Sequence, residues 1–165
     1  MTRMNMASAI PKLIGGLVLG ALIPLSCMAL SEDTDTDVMY RHHSIEGTWD
    51  TTVTLRVCGS GAVIRTFRAM SLFGADGSLV ATSVVAPPPS LGQWWRVGPD
   101  RYLAKMQLFR YDTTGAFLGV QQLTRTISMN ESGTEFSSIV TVEIFDPLNN
   151  PIANGCSTEI SKRLF

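Results

Sequence analysis

Alternation of apolar and polar positions is the dominant signal along most of the chain. From Gly47 to Cys58, Trp49, Thr51, Val53, Leu55 and Val57 fall on one side of an extended segment, and Asp50, Thr52, Thr54 and Arg56 on the other. Such a strand is packed on one face and wet on the other, as an antiparallel sheet allows. Turn signals then recur at the spacing of a meander. Gly59-Ser60-Gly61 leads into a strand over Val63 to Phe73, and Ala75-Asp76-Gly77-Ser78 is a hairpin signal into Leu79 to Val85. Pro87-Pro88-Pro89 predicts a stiff loop or rim crossing before a short strand over Gln93 to Val97. Gly98-Pro99-Asp100 turns the chain into Tyr102 to Tyr111, and Asp112 to Gly115 connects to Phe117 to Met129. Asn130 to Gly133 then leads to Glu135 to Phe145, and Pro147 to Pro151 to Ile152 to Leu164. About eight strands without a helix of useful length predict an all-β fold, an antiparallel up-and-down barrel with a filled or small-ligand interior.

The first 31 residues do not share this pattern. Arg3 and Lys12 precede an apolar run from Leu13 to Ile23, Pro24 breaks it, and small residues follow at Ser26, Cys27, Ala29 and Ser31. That is the layout of a secretory signal peptide, expected over 1–31. A membrane anchor is the competing reading, but Pro24 and the glycines make the run short for a span of about 20 residues. Leu25-Ser26-Cys27 also looks partly like a bacterial lipobox, with Pro24 where an aliphatic residue is wanted. Residues 32–46 read as an acidic, flexible tether. Asp33, Asp35 and Asp37 imitate the start of a calcium loop, but Val38 stands at the glycine position and Ser44 at the closing glutamate, so the match fails. His42 and His43 read as solvent-facing, and no metal or cofactor is expected.

Cysteine usage bears on compartment. Assigning Cys27 to the leader leaves Cys58 and Cys156 as one pair, expected to form a disulfide in a periplasmic or extracellular setting. Neither has a second ligand at zinc spacing. Charge narrows the partners. Setting aside Arg3 and Lys12 leaves eleven basic against fourteen acidic residues, a net charge of about −3, which argues against a nucleic-acid partner.

Two further features mark a family. Gly47-Thr48-Trp49 opens the first strand, and Arg163 ends the last. In both, the chain resembles the calycin group, which includes lipocalins and other secreted bacterial lipocalin-like barrels, where a G-x-W opening is covered by a basic residue from the final strand. The resemblance spans 47–165; the motif lipocalins carry between later strands is absent, as is an avidin-type biotin constellation. It implies a barrel that carries small, mostly apolar ligands and has no catalytic residues.

Strand register identifies candidate interior residues. An even-length loop over Asn130 to Gly133, with Met129 opposite Thr134, puts Phe117, Leu123 and Ile127 on the same face as Phe136, Val140, Val142 and Ile144. Gln121, Arg125 and Ser138 share that inner face. A two-residue hairpin within Leu148 to Asn150 carries Ser157, Glu159, Ser161 and Arg163 inward and Cys156 outward. Pairing Cys58 with Cys156 as cross-strand neighbours gives the same parity, with Leu55 facing Glu159 and Trp49 facing Phe165, and sets Arg163 diagonally over the Trp49 indole. Arg125 and Glu159 therefore form a candidate polar cluster with Ser138 between them and Gln121 near. Buried charges must be paired. Either the two are a structural ion pair, or Arg125 holds a ligand carboxylate or carbonyl with help from Gln121. Trp94-Trp95 and the proline run are candidates for the mouth, although paired tryptophans also arise where one faces the core and the other the surface.

Three function classes follow. The first is an exported binding barrel for a small apolar or amphipathic molecule, without a stable membrane span after processing. The second is a small cyclase- or isomerase-type enzyme using Glu159 as general acid or base; both histidines precede Trp49, which disfavours it. The third is a solid barrel acting as an interaction or inhibitor protein. An interior volume discriminates the third from the others.

Overall fold

The computed structural model describes residues 44–165, so the expected leader, Cys27, the paired histidines and most of the expected tether lie outside the described residues. The alternating segments form eight strands: β1 (Gly47–Arg56), β2 (Val63–Phe73), β3 (Ser78–Ser83), β4 (Ala86–Gly98), β5 (Arg101–Tyr111), β6 (Phe117–Met129), β7 (Glu135–Phe145) and β8 (Pro151–Arg163). Each pairs antiparallel with the next, and β1 pairs with β8 to close the barrel. Closure leaves no unpaired sheet edge, which is the physical advantage of this architecture for an all-β chain.

Inward positions differ sharply in size between the two ends. Near the start of β1, Trp49, Phe73, Leu79, Tyr102, Ile127 and Phe136 are buried together, with Trp94 packed against them. Phe136 tilts against Trp49 at 4.7 Å between centroids and meets Phe73 edge-on at 5.9 Å. Toward the other end the inward residues of β2, β3, β4 and β8 include Ala69, Ala81, Ser90, Gly155 and Ser157. A barrel of this size is filled only if its inward side chains are large. One end is therefore solid, and the other encloses a cavity of about 710 Å³.

The solid end is capped by residues expected to belong to the tether. Ile45 is fully buried, and its carbonyl accepts the Trp49 indole N–H at 2.8 Å. The Arg163 guanidinium lies 4.3 Å from the Trp49 ring and donates to the carbonyls of Ser44, Glu46 and Gly133 at 2.6, 2.6 and 3.0 Å. Gly47 makes this possible. Its φ of +115° is costly for other residues, and a Cβ there would come within 3.0 Å of Arg163 Nη1.

Several local expectations need correction. β6 pairs with β7 with Met129 opposite Phe136, two residues beyond the expected partner Thr134, so every side chain keeps its face. On the β1–β8 seam, Arg56 is opposite Cys156 and Trp49 is opposite Arg163, again a slip of two from the expected Trp49–Phe165 pairing, with Val53 rather than Leu55 facing Glu159. Cys58 lies beyond the end of β1 and reaches Cys156 diagonally, with Cα atoms 5.1 Å apart in the disulfide. The β7–β8 turn is not a two-residue hairpin. It runs from Asp146 to Asn150 with Asn149 at φ 65°, and a bulge between Ile144 and Phe145 restores the expected register.

Phe117 is exposed rather than inward. A register shift at Arg110/Tyr111 opposes it to Tyr111, and Gly119 takes φ +114° where a Cβ would strike the Phe145 carbonyl at 2.1 Å, so the alternation resets at this bulge. The proline run is not a separate crossing. β3 ends at Ser83, Val84 and Val85 make the turn, and residues 87–89 lie within β4 where its register against β3 slips between Ala81 and Ser83. Proline's missing N–H is tolerated at such an irregularity.

Candidate functional site

Between the aromatic end and the cavity lies a tier of polar side chains drawn from five strands. Arg125 of β6 extends across the lumen and donates from Nη1 to Ser71 Oγ on β2 and from Nη2 to Glu159 Oε1 on β8, both at 3.0 Å. Ser138 of β7 donates to Glu159 Oε2 at 2.5 Å. Thr51 and Ser161 bond each other at 2.8 Å on the adjoining β1–β8 seam. All six of these residues are buried, and Arg125 and Glu159 retain only 2% and 3% of their accessible surface. An ion pair this desolvated persists only because each partner meets the other's charge and a hydroxyl supplies a further bond. Arg125 Nε is the one buried side-chain donor without a partner among the described residues.

Above this tier the walls are apolar. Val53, Leu55, Phe67, Met106, Leu123 and Val142 line the cavity, and Gln121, Ser90 and Ser157 place neutral polar groups in the wall. Arg125 and Glu159 reach it from below as a neutralised pair, so the deep part offers no uncompensated charge. The mouth differs. Its charged lining residues are Arg56, which donates to Thr158 Oγ1 at 3.0 Å and to the Gly61 carbonyl, and Arg65, which lies over the Phe67 ring at 5.4 Å.

No protein-family model matches the chain, and no curated protein matches it.

The geometry therefore has to carry the reading. Arg125, Glu159 and Ser138 are brought together by register, whereas Gln121 stands higher in the cavity wall and has no recorded bond to them. Trp94 and Trp95 are not at the mouth. Trp94 belongs to the solid end, donating its indole N–H to the Gly74 carbonyl at 2.9 Å and meeting Phe73 and Tyr102 edge-on, and Trp95 lies on the outer surface. Of the two readings open for this tryptophan pair, the core-and-surface one describes it. Ser71, which completes the Arg125 site, was not singled out from the sequence. The signal was there in its place on the inward face of Val63–Phe73, a polar residue between Ala69 and Phe73. Among the described residues, no group of three or more His, Cys, Asp and Glu side chains is arranged to hold a metal.

At the solid end, burial lowers the Arg163 pKa from the usual arginine value and raises that of Tyr102 above the usual phenol value. Both shifts express the same desolvation that strengthens the contact between Arg163 and the indole face.

Proposed function

We propose that this chain is an exported, lipocalin-like carrier that holds a small apolar or amphipathic molecule in the open half of its barrel. The observation that carries the reading is the cavity of about 710 Å³ with apolar walls and a few neutral polar groups. Its size falls in the range of about 300 to 1,000 Å³ usual for small-molecule sites, and its lining suits a ligand whose body is uncharged. Such a volume also counts against the solid-barrel alternative. Export is supported by the leader pattern over 1–31 and by a disulfide that joins the two cysteines remaining after it, with lipidation at Cys27 as the variant form.

The enzyme alternative finds less support. Both Glu159 oxygens are engaged, one by Arg125 and the other by Ser138, and a carboxylate held ionised against a guanidinium is a weakened general base. The test is a titration of the purified protein with the neutral fluorescent probe N-phenyl-1-naphthylamine, compared with Ala81→Phe, which fills the cavity from β3. Saturable enhancement that is lost in the variant supports the proposal. Equal enhancement in both proteins overturns it.

A further inference from the structure

The floor of the cavity holds hydrogen-bonding groups that the protein itself leaves unused. In the planar Arg125 guanidinium, Nε–H and Nη2 share one edge, the edge a carboxylate grips with both oxygens when it binds two-toothed. Glu159 takes only Nη2 there and turns its other oxygen to Ser138, so Nε–H is left buried and unpaired. That edge faces the β7–β8 wall, where Arg125 lies opposite Val140 and Val140 opposite Ser157. Ser157 is also the next inward residue from Glu159 on β8, on the cavity side of it. It lines the cavity, is 5% exposed, and its hydroxyl bonds to no other group among the described residues. A second such hydroxyl, Ser90 at 7% exposure, lines the opposite wall, since β4 and β8 stand half-way round the ring from each other.

Buried polar groups without partners cost stability, and folded proteins retain few of them. In an otherwise apolar cavity, a small number of such groups is the usual signature of a ligand's polar contact. The neighbouring charge decides what that contact can be. An oxygen reaching Ser157 and the spare Nε–H stands beside the Glu159 carboxylate, which already neutralises this guanidinium. A second anion there would meet like-charge repulsion in a desolvated site, whereas an uncharged oxygen meets none. Such an oxygen accepts from Nε–H or from Ser157, and a hydroxyl can also donate to Ser157 Oγ.

We infer that the floor beside Ser157 is a head-group site for an uncharged hydroxyl or carbonyl oxygen. The ligand is then a neutral alcohol, aldehyde or ketone, bound head-down with its apolar body between Val53, Leu123 and Val142. This rests on the proposed carrier function and narrows it. Of the readings open for Arg125, the ion pair stays structural, and the ligand contact passes to the hydroxyl next to it. Ser90, on the far wall, is not part of this contact.

The test displaces N-phenyl-1-naphthylamine from the purified protein with eight-carbon compounds that differ in their head: 1-octanol, 2-octanone, 1-chlorooctane, and octanoate at neutral pH. Each affinity is set against the compound's own partition from water into an organic phase, so that only what the site adds is compared. Octanol and octanone should exceed chlorooctane by at least several-fold on this scale, and octanoate should be the weakest displacer. Ser157→Ala should remove most of that advantage, and Ser90→Ala much less. Octanoate as the tightest ligand would overturn the inference, because Arg125 then receives a carboxylate. So would the lack of any alcohol or ketone advantage in the parent, which leaves water alone to complete the floor, or an equal loss in the two serine variants. The parent series decides the matter even if a variant folds poorly. If the probe binds and none of the compounds displaces it, the head-group inference falls and the carrier reading stands; if the probe does not bind, both fall.

Discussion

Arg125 and Glu159 occupy positions where desolvation costs each ion several kcal/mol, and the bond between them, with Ser71 and Ser138 completing the shell, is what offsets that cost. Removing one charge therefore does more harm than removing both. Glu159→Gln is expected to destabilise the barrel by about 3 kcal/mol by leaving Arg125 without its counter-charge, and Arg125→Met to cost a similar amount through Glu159. The double replacement Arg125→Met with Glu159→Leu should cost less than either single change. Chemical denaturation of the four proteins measures this, and additive losses would show that the pair is not coupled. Arg163 is a separate case, because it combines a ring contact with three carbonyl bonds. Arg163→Ala should cost about 2 kcal/mol or more, and Arg163→Lys should recover only part of it, since an ammonium cannot reproduce the fork that reaches Ser44, Glu46 and Gly133. Equal stability of the lysine variant and the parent would mean that the carbonyl bonds contribute nothing.

Strands and turns repeat one device with a chemical variation. Asp112, Asn130 and Asp146 each open a hairpin turn and accept backbone N–H groups on a side-chain oxygen. Asp112 and Asp146 serve the open end and Asn130 the solid end. Hydrogen bonds to the ionised form, first those from Thr114 and Asn150 respectively, hold the Asp112 and Asp146 pKa values below the usual 3.8. A depressed carboxyl stabilises the fold above its unfolded pKa, and that contribution is lost as pH falls through the folded one. Acid should thus loosen the open-end turns while the amide-held Asn130 turn stays intact. In an NMR titration the amides of Thr114 and Leu148 should move with midpoints below 3.8, and those of Thr134 and Glu135 should not. Asp112→Asn and Asp146→Asn should abolish their respective movements; persistence of either would assign it to another group.

The disulfide acts at the same scale, fastening the end of β1 to β8 on the closing seam. With its cysteines 98 positions apart in sequence, the chain-entropy account assigns it up to about 4.7 kcal/mol. Reduction should lower the melting temperature, and an unchanged transition would mean that the seam pairing alone holds the barrel shut. The parity of this seam was legible in the sequence because slips of two residues leave every side chain on its own face. What was not legible were the irregularities. The Gly119 bulge turned Phe117 outward, and the slip beside Ser83 absorbed the proline run into β4, since bulges depend on packing that alternation does not encode.

For the whole molecule, the consequence is a barrel divided along its axis. Aromatic and aliphatic side chains, capped by Ile45 and Arg163, fill one half; a buried ion-pair tier closes that half off; small residues leave the other half open. The inward charges were readable from register, but the cavity was not, because its volume depends on which inward positions of eight strands share a level. Ala69, Ala81, Ser90 and Ser157 look unremarkable singly and make a void only together. That void, with its mainly apolar lining, is the feature on which the proposed carrier function rests. The most direct measurement is to purify the protein from its own compartment without detergent, extract it with organic solvent and weigh what is released by mass spectrometry. A small apolar or amphipathic molecule recovered in proportion to protein, and lost from Ala81→Phe, is the expected result; the same traces from both proteins would contradict the carrier reading.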